Sequence, residues 1–255
     1  MLLEAISIVL LVGHNAYQRS RIVSFNRQLS GFLYQRVDGV RAYLSLREVN
    51  EGLAEENTRL RNALSLYDQL TDSALVKTDS LQDYRYSYMP ARVIQNSVFK
   101  QYNYMTIDRG REAGVFRDMG VVSDQGLVGI VLESSDHFAT VIPIVNRDFR
   151  LSVKILSNNY AGILQWDGNS PLHADLHEIP FHVTLTEGDT VVTSGFSSIF
   201  PQGIRVGVIE SFSLDQGNFY NIRIRLFTQF QQLFRVDVIR NFRQEEQRTL
   251  ESNTD

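Results

Sequence analysis

The chain has 255 residues, of which 43% are hydrophobic and 21% are charged, so it is long enough to bury a sizeable core in one or two domains. Its net charge of −4 provides no basic footprint of the kind that nucleic-acid binding requires. The sequence contains no cysteine, which excludes a disulfide framework, thiol catalysis and any zinc site with thiolate ligands.

The chain begins with an apolar segment that is too short to cross a bilayer. Residues 1–13 are apolar except for Glu4 and Ser7, whereas a membrane-spanning helix needs about 20 such residues. A cleavable signal peptide would need a basic start and a small-residue cleavage site, and neither is clear. We interpret residues 1–16 as part of a transmembrane anchor and expect further apolar residues to be encoded upstream of Met1. A buried amphipathic helix is the alternative.

A heptad pattern predicts a coiled-coil helix over residues 17–83. Apolar residues recur at positions a and d, and charged residues flank them. Gly52 and the d-position Glu56 weaken the pattern, so a single amphipathic helix packed on its own domain is the alternative. The predicted dimerisation seam consists of Leu46, Val49, Leu53, Leu60, Ala63, Tyr67 and Leu70.

The pattern changes to β structure at Pro90, because the residue before a proline is driven out of the helical region. Short β-branched segments follow, many of them separated by glycine or asparagine, and no room is left for the helical crossovers of a parallel sheet. The whole region from Ala91 to about Arg240 is predicted to be β, with strands that include Ala91–Gln95, Tyr102–Asp108, Gly120–Ser123, Leu127–Glu133, Thr140–Ile144, Leu151–Ile155, Thr190–Ser194, Val206–Ser211, Asn221–Leu226 and Val236–Ile239.

A weak internal repeat divides this β region. Residues 126–134 resemble residues 203–211, which suits two small barrels built alike, although chance similarity among glycine- and valine-rich strands is an alternative. We therefore expect a mainly β fold with a long N-terminal helix and two small six-stranded β-barrels. The first barrel is predicted over residues 90–165 and the second over 166–243, with strand exchange between them left open. Residues 244–255 are predicted to be a disordered tail.

One long motif resembles a known family. Residues 191–207 read Val-Val-Thr-Ser-Gly-Phe-Ser-Ser-Ile-Phe-Pro-Gln-Gly-Ile-Arg-Val-Gly, which is similar to the signature of the bacterial rod shape-determining family MreC. The resemblance covers nearly the whole chain, except that the family begins with a short cytoplasmic segment and a complete membrane span. Further segments occur in the family's order: Ala91–Ile94, Thr106–Gly110, Gly114–Val115, Gly126–Gly129 and Gly162–Leu164.

The resemblance implies a scaffold of the cell-wall elongation complex, without enzymatic activity or cofactor, that is needed for rod shape. Such a protein lies in the inner membrane as a single-pass protein, with most of its chain in the periplasm. The implied partners are a second copy, as a homodimer or filament, the membrane protein MreD, a class B penicillin-binding transpeptidase with RodA, and the MreB complex across the membrane. The scaffold would recruit and activate the transpeptidase through its β-domains.

A periplasmic adaptor of the membrane-fusion type, from an efflux or secretion system, is the alternative from another class. Such adaptors also combine an anchor, a coiled coil and β-barrels, but they need two long heptad helices. Here one heptad helix precedes all the β structure, which favours the scaffold.

Four residues of the signature are candidates for partner binding. Phe196, Ile199, Phe200 and Pro201 lie in a segment that is bounded by glycines, where a turn can present an apolar side chain. The alternative is that Ile199 and Phe200 plug a barrel end as core residues, since aromatic side chains are usually core.

Two groups of residues resemble a metal site and a catalytic site, but neither has the motif that such a site requires. His173, His177 and His182 lie near Asp175 and Glu178, but without a recognised motif such histidines are usually exposed polar residues. We therefore predict no metal site. The barrels expected from the resemblance are similar to those of chymotrypsin-like proteases. Ser194 and His137 nevertheless provide no nucleophile turn and no convincing order of His, Asp and Ser.

Overall fold

The structure, a computed structural model, describes residues 49, 51–64, 85–214 and 218–252. The predicted anchor and the seam residues Leu46, Tyr67 and Leu70 lie outside these residues. The chain divides into two compact units, Met1–Glu55 and Glu56–Asp255. In the described part of the chain, no helix combines the length and the apolar character needed to span a membrane.

Helix α1 covers residues 51–64, and twelve strands and a terminal helix follow. The first barrel is built from β1 (Tyr86–Asn96), β2 (Met105–Ile107), β3 (Gly120–Val122), β4 (Leu127–Ser134), β5 (Ala139–Pro143) and β12 (Arg235–Asn241). The second barrel is built from β6 (Arg150–Ile155), β7 (Ala161–Gln165), β8 (His173–Pro180), β9 (Thr190–Thr193), β10 (Arg205–Leu214) and β11 (Phe219–Leu226). Helix α2 covers Gln244–Ser252.

Both barrels are closed and entirely antiparallel. The strand order around the first, barrel A, is β1-β12-β3-β4-β5-β2, and around the second, barrel B, it is β10-β11-β8-β7-β6-β9. Alternation along the strands directs apolar side chains inward, as in β11, where Ile222, Ile224 and Leu226 are buried and the residues between them are exposed. The predicted mainly β fold with two six-stranded barrels is confirmed.

The predicted boundary between the barrels near Gln165 is wrong. Strands β6 and β7 belong to barrel B, so the chain passes between the barrels in the segment from Pro143 to Arg150. It returns after Leu226, because β12 closes barrel A by pairing with both β1 and β3. A prediction that follows chain order cannot place a strand that completes a barrel begun about 150 residues earlier.

The prediction of a disordered tail is also wrong over residues 244–252, which form α2. The Gln244 side chain donates a hydrogen bond to the backbone oxygen of Asp118 at 2.8 Å, and Arg248 pairs with the Asp118 carboxylate at 2.9 Å. These contacts fasten the helix to barrel A. Its composition is strongly polar, so its attachment depends on these side-chain bonds and not on apolar burial.

The structure provides a counterpart to the internal repeat. Strands β3, β4 and β5 form an antiparallel meander in barrel A, and β9, β10 and β11 form the same meander in barrel B. A side chain at Gly129 would collide with the backbone of β5, and one at Gly207 would collide with the backbone of β11. Each of these central strands also bulges on the side of the following strand, after Val131 and after Ile209. The two barrels thus share a bulged, glycine-containing central strand.

Candidate functional site

The loop between β9 and β10, residues 194–204, is held in one shape by the side chains of its own signature. The Thr193 hydroxyl donates to the backbone oxygen of Pro201 at 2.7 Å and accepts from the N–H of Ile204 at 2.9 Å. The Ser194 hydroxyl accepts from the N–H of Phe196 at 3.2 Å and lies 3.0 Å from both oxygens of Ser152. We refer to residues 194–204 as the signature loop.

The signature loop carries an aromatic side chain into the contact between the barrels. Phe200 is 1% exposed, and its ring covers Gly120 on β3 of barrel A so closely that a Cβ there would lie 2.5 Å from Cε1. The Asn241 side chain on β12 donates to the backbone oxygen of Ser198 at 2.6 Å. The loop therefore links barrel B to barrel A through one apolar contact, between Phe200 and Gly120, and one hydrogen bond, between Asn241 and Ser198.

The segment that leads from β11 back to β12 is also hydrogen-bonded to barrel A. Thr228 donates its hydroxyl to the backbone oxygen of Leu127 at 2.8 Å, and the Gln125 side chain accepts from the N–H of Gln229 at 2.7 Å. Buried residues of both barrels belong to one continuous apolar cluster. These contacts make the two barrels a single packed body, on which an exposed residue holds a fixed position.

The four predicted partner-binding residues differ in accessibility. Phe196 is 78% exposed, Ile199 and Pro201 are half-buried, and Phe200 is buried. Burial removes Phe200 from the surface that a partner could contact and gives it the role of a core plug. Phe196 is left as the one aromatic side chain that the loop presents outward.

A polar latch connects helix residues 56–64 to barrel A, and the sequence reasoning missed it. The buried carboxylate of Asp237 on β12 accepts a hydrogen bond from the Thr58 hydroxyl at 2.9 Å and forms an ion pair with Arg61. Arg61 also donates to the backbone oxygen of Ser123 at 3.2 Å. The signal in the sequence was an aspartate within the apolar run Val-Asp-Val-Ile of β12.

Asn62 completes this latch at the start of barrel A. Its side-chain oxygen accepts from the N–H of Tyr88 at 2.8 Å, and its side-chain nitrogen donates to the backbone oxygen of Tyr88 at 3.3 Å. Thr58, Arg61 and Asn62 share one side of the helix because they are three and four residues apart. Leu60 and Leu64, which are 52% and 63% exposed, lie on the other side.

His173, Asp175 and His177 occupy alternate positions on the outer side of β8, whereas His182 lies beyond the end of this strand. His173 contacts Ser170 and Glu210, and His182 packs edge-on against the rings of Tyr160 and Phe181. Within the described ranges, no three His, Asp or Glu side chains are grouped so that they could hold a metal ion.

Burial and, secondly, the negative charge of Asp167 raise the pKa of Asp175, which lies on the outer side of β8. His137 lies 3.3 Å from Glu112 in barrel A, whereas Ser194 bonds to Ser152 in barrel B. His137 and Ser194 therefore have different partners and are not hydrogen-bonded to each other, as the histidine and serine of a catalytic triad would be.

Comparison with known proteins agrees with this architecture. The family model "Rod shape-determining protein MreC, barrel core" matches residues 93–240, which is more than half of the chain. The chain is 29% identical over 243 residues to the cell shape-determining protein MreC of Listeria monocytogenes, and the match covers 85% of this chain and 80% of that protein.

Solved structures show the same fold. An MreC structure from Listeria monocytogenes matches with a TM-score of 0.59 and 28% identity, over 77% of this chain and 94% of that one. A complex between the penicillin-binding protein PBP2 and MreC from Helicobacter pylori matches with a TM-score of 0.51 and 17% identity, over 62% and 99% of the two chains. The residues that match the family model include barrel B, the signature loop and barrel A except for the start of β1 and the last residue of β12, and the chain belongs to the MreC family of rod shape-determining proteins.

Proposed function

We propose that this chain is a non-enzymatic scaffold of the cell-wall elongation complex that recruits a class B penicillin-binding transpeptidase, associated with RodA, and favours its active state. The observation that carries the proposal is the signature loop. It exposes Phe196 at the surface, while the buried Phe200 packs the loop against barrel A and fixes its position. A scaffold acts by offering a fixed surface, and a partner whose active conformation fits that surface better is shifted towards it. The relative from Helicobacter pylori forms a complex with PBP2, which supports a partner of this class.

Phe196 and Ile199 are proposed as the contact residues of the signature loop. A large aromatic side chain that is 78% exposed and held by a closed hydrogen-bonded loop loses little conformational entropy when a partner covers it. Pro201 supports the loop, because its carbonyl is the acceptor for Thr193. Phe200 contributes only by holding the loop on barrel A.

The proposed contact is tested by a pull-down of the full chain with the transpeptidase ectodomain. We expect Phe196→Asp and Ile199→Asp to weaken binding at least about tenfold, because a charge would be buried at the contact. Phe99→Asp is the matched control, since Phe99 is an 81% exposed aromatic residue in barrel A. Unchanged binding by folded Phe196→Asp and Ile199→Asp variants would move the partner site elsewhere, and no binding by the unmodified chain would contradict the proposed partner.

We also propose that the chain self-associates as a homodimer, or in filaments, through the heptad seam of its helix. Val49 and Leu53 in the first unit and Leu60 in the second are each more than half exposed, as expected of a seam whose partner is another chain. Leu46, Ala63, Tyr67 and Leu70 complete the proposed seam by their spacing.

Replacing Leu53 and Leu60 with glutamate is expected to convert the dimer to a monomer. Two apolar seam residues would then be replaced by negative charges, and the apolar contact would be lost. Sedimentation of the full chain measures the change, and Leu250→Glu is the control, because Leu250 is a helical leucine outside the seam that is also more than half exposed. A dimer that survives the double substitution would place self-association on another surface.

The family resemblance supports three further parts of the proposal. The chain would be anchored in the inner membrane by a single pass, with residues 1–16 contributing to the anchor and most of the chain in the periplasm. MreD would be its membrane partner and the MreB complex its partner across the membrane. Depletion of the protein would give rounded cells, whereas rod-shaped cells that lose export or drug tolerance would favour the adaptor of an efflux or secretion system.

A further inference from the structure

The β10–β11 hairpin extends beyond the wall of barrel B. On one side β10 pairs with β9 only as far as Val208, and the last bonds there join Ile209 to Asp189 and to Gly188. On its other side β10 continues to pair with β11 as far as Leu214, which lies opposite Tyr220. In the described part of the chain, no strand lies along the outer side of residues 211–214. We refer to this outer side of residues 211–214 as the open edge.

The hydrogen-bond pattern shows which backbone groups the open edge offers. Phe227 donates its N–H to the backbone oxygen of Val206. Because backbone groups alternate in direction along a strand, the N–H and C=O groups of residues 223 and 221 also point towards β10. Beyond the bulge their partners are Ser211 and Ser213. Phe212 and Leu214 therefore direct their N–H and C=O groups outward, away from β11, and among the described residues none is hydrogen-bonded to these groups.

Apolar and polar side chains lie on opposite sides of the open edge. Phe212 and Leu214 lie on the same side of the hairpin as Tyr220, whose ring meets that of Phe212 edge-on at 5.6 Å between centroids. Phe212 is 37% and Leu214 is 66% exposed. Ser211 and Ser213 occupy the opposite side. An added strand would thus meet an apolar row on one side and a polar row on the other.

Two acidic residues lie at the base of the open edge, which is the end of the edge nearest to β9. Glu187 is exposed and Asp189 is half-buried, and they flank Gly188, whose N–H bonds to Ile209. The Asp189 carboxylate accepts one hydrogen bond, from the N–H of Thr186 at 3.3 Å. Neither carboxylate forms an ion pair with any residue that the structure describes. A strand added at the open edge would end beside these two negative charges.

We propose that the open edge binds an extended segment of a partner protein as a further antiparallel strand of barrel B. The segment would carry apolar side chains at alternate positions, to pack on Phe212 and Leu214, and a lysine or arginine at its C-terminal end, beside Glu187 and Asp189. The C-terminal end is specified because β10 runs away from the acidic base. A second copy of β10 fits less well, because residues 209–214 contain Glu210 and no basic residue. The inference rests on the proposed function only in that the partner is a protein.

The test uses the full chain and a synthetic peptide, acetyl-Thr-Val-Thr-Val-Thr-Arg-amide. We expect the peptide to slow amide hydrogen exchange at Phe212 and Leu214 and to leave Ser211 and Ser213, which already bond to β11, unchanged. N-methylation of both valines should abolish binding, because the valine N–H groups would face the edge, whereas N-methylation of two threonines should not. Replacing the arginine of the peptide with glutamate should weaken binding at least about tenfold.

Variants of the chain complete the test. Leu214→Pro removes one outward N–H from a position where an edge strand tolerates proline, and we expect it to weaken peptide binding about tenfold without lowering Tm. Ser213→Ala is the control, and this variant should bind the peptide as tightly as the unmodified chain.

Equal binding of all the peptides, or protection at residues away from 209–214, would overturn the open-edge proposal. If the peptide fails while the transpeptidase is still captured, the edge proposal falls and the proposed function stands. Peptide binding without transpeptidase capture supports the edge alone.

Discussion

Replacing Phe200 with alanine is expected to lower the free energy of unfolding by about 3–5 kcal/mol, the usual cost of removing a buried phenylalanine side chain. The ring fills the space above Gly120, where barrel A has no side chain of its own. The cavity would lie in the contact between the barrels, so neither barrel can collapse to fill it alone. Chemical denaturation of the full chain measures the change.

Phe196→Ala is the matched control for this prediction. Phe196 is the same residue type, four positions earlier in the same loop, but it is 78% exposed, so we expect a change within about 0.5 kcal/mol. The two variants should also separate in function, because Phe196→Ala is expected to impair partner binding in a fully stable protein. Similar losses of stability for both variants would contradict the role of Phe200 as the plug between the barrels.

Replacing Asp237 with alanine is expected to release helix residues 56–64 from barrel A and to cost about 2–3 kcal/mol. The substitution leaves the Thr58 hydroxyl without its acceptor and the Arg61 guanidinium without its carboxylate, and removing one partner of a largely buried pair is strongly destabilising. The cost stays below that of a fully buried pair, because the Arg61 side chain is 25% exposed and can turn towards water. Amide hydrogen exchange at residues 58–62 should become faster.

Glu56→Ala provides the comparison within the same helix. It removes the ion pair with Arg59, whose side chain is 76% exposed, and such surface pairs contribute about 0–1 kcal/mol. Exchange at residues 58–62 should then stay slow. If Asp237→Ala and Glu56→Ala change exchange equally, the helix is held by something other than the polar latch.

Most of the strands could be predicted from the sequence, because ten β-branched segments each coincide with a strand. Strands β7 and β8 have weaker sequence patterns than the other ten, for identifiable reasons. The inward residues of β8 are Ala174, Leu176 and Ile179, and the bulge at Glu178, which has a φ of 68°, interrupts their alternation. In β7, Gly162 lowers the strand propensity, but its missing side chain is what allows β8 to approach.

The order of the strands in the barrels and the role of the signature loop could be determined only from the structure. The sequence left two roles open for Phe200, partner contact and core plug, and nothing local distinguishes them because the ring packs on a glycine 80 residues away. The same holds for Asp237, whose partners lie more than 170 residues earlier in the chain. Local patterns predict which segments form strands, but long-range contacts decide which side chains remain at the surface.

The return of β12 makes barrel B an insertion within barrel A. All six strands of barrel B lie between β5 and β12, so they can pair as soon as residues up to Leu226 have emerged from the ribosome. Barrel A has to wait with β1 and β3 unpaired along one edge until Arg235–Asn241 arrives. Barrel B can therefore close before barrel A, although barrel A begins first in the chain. A chain that stops after Leu226 would release a finished second barrel joined to an open first one, with unpaired strand edges of the kind that aggregate.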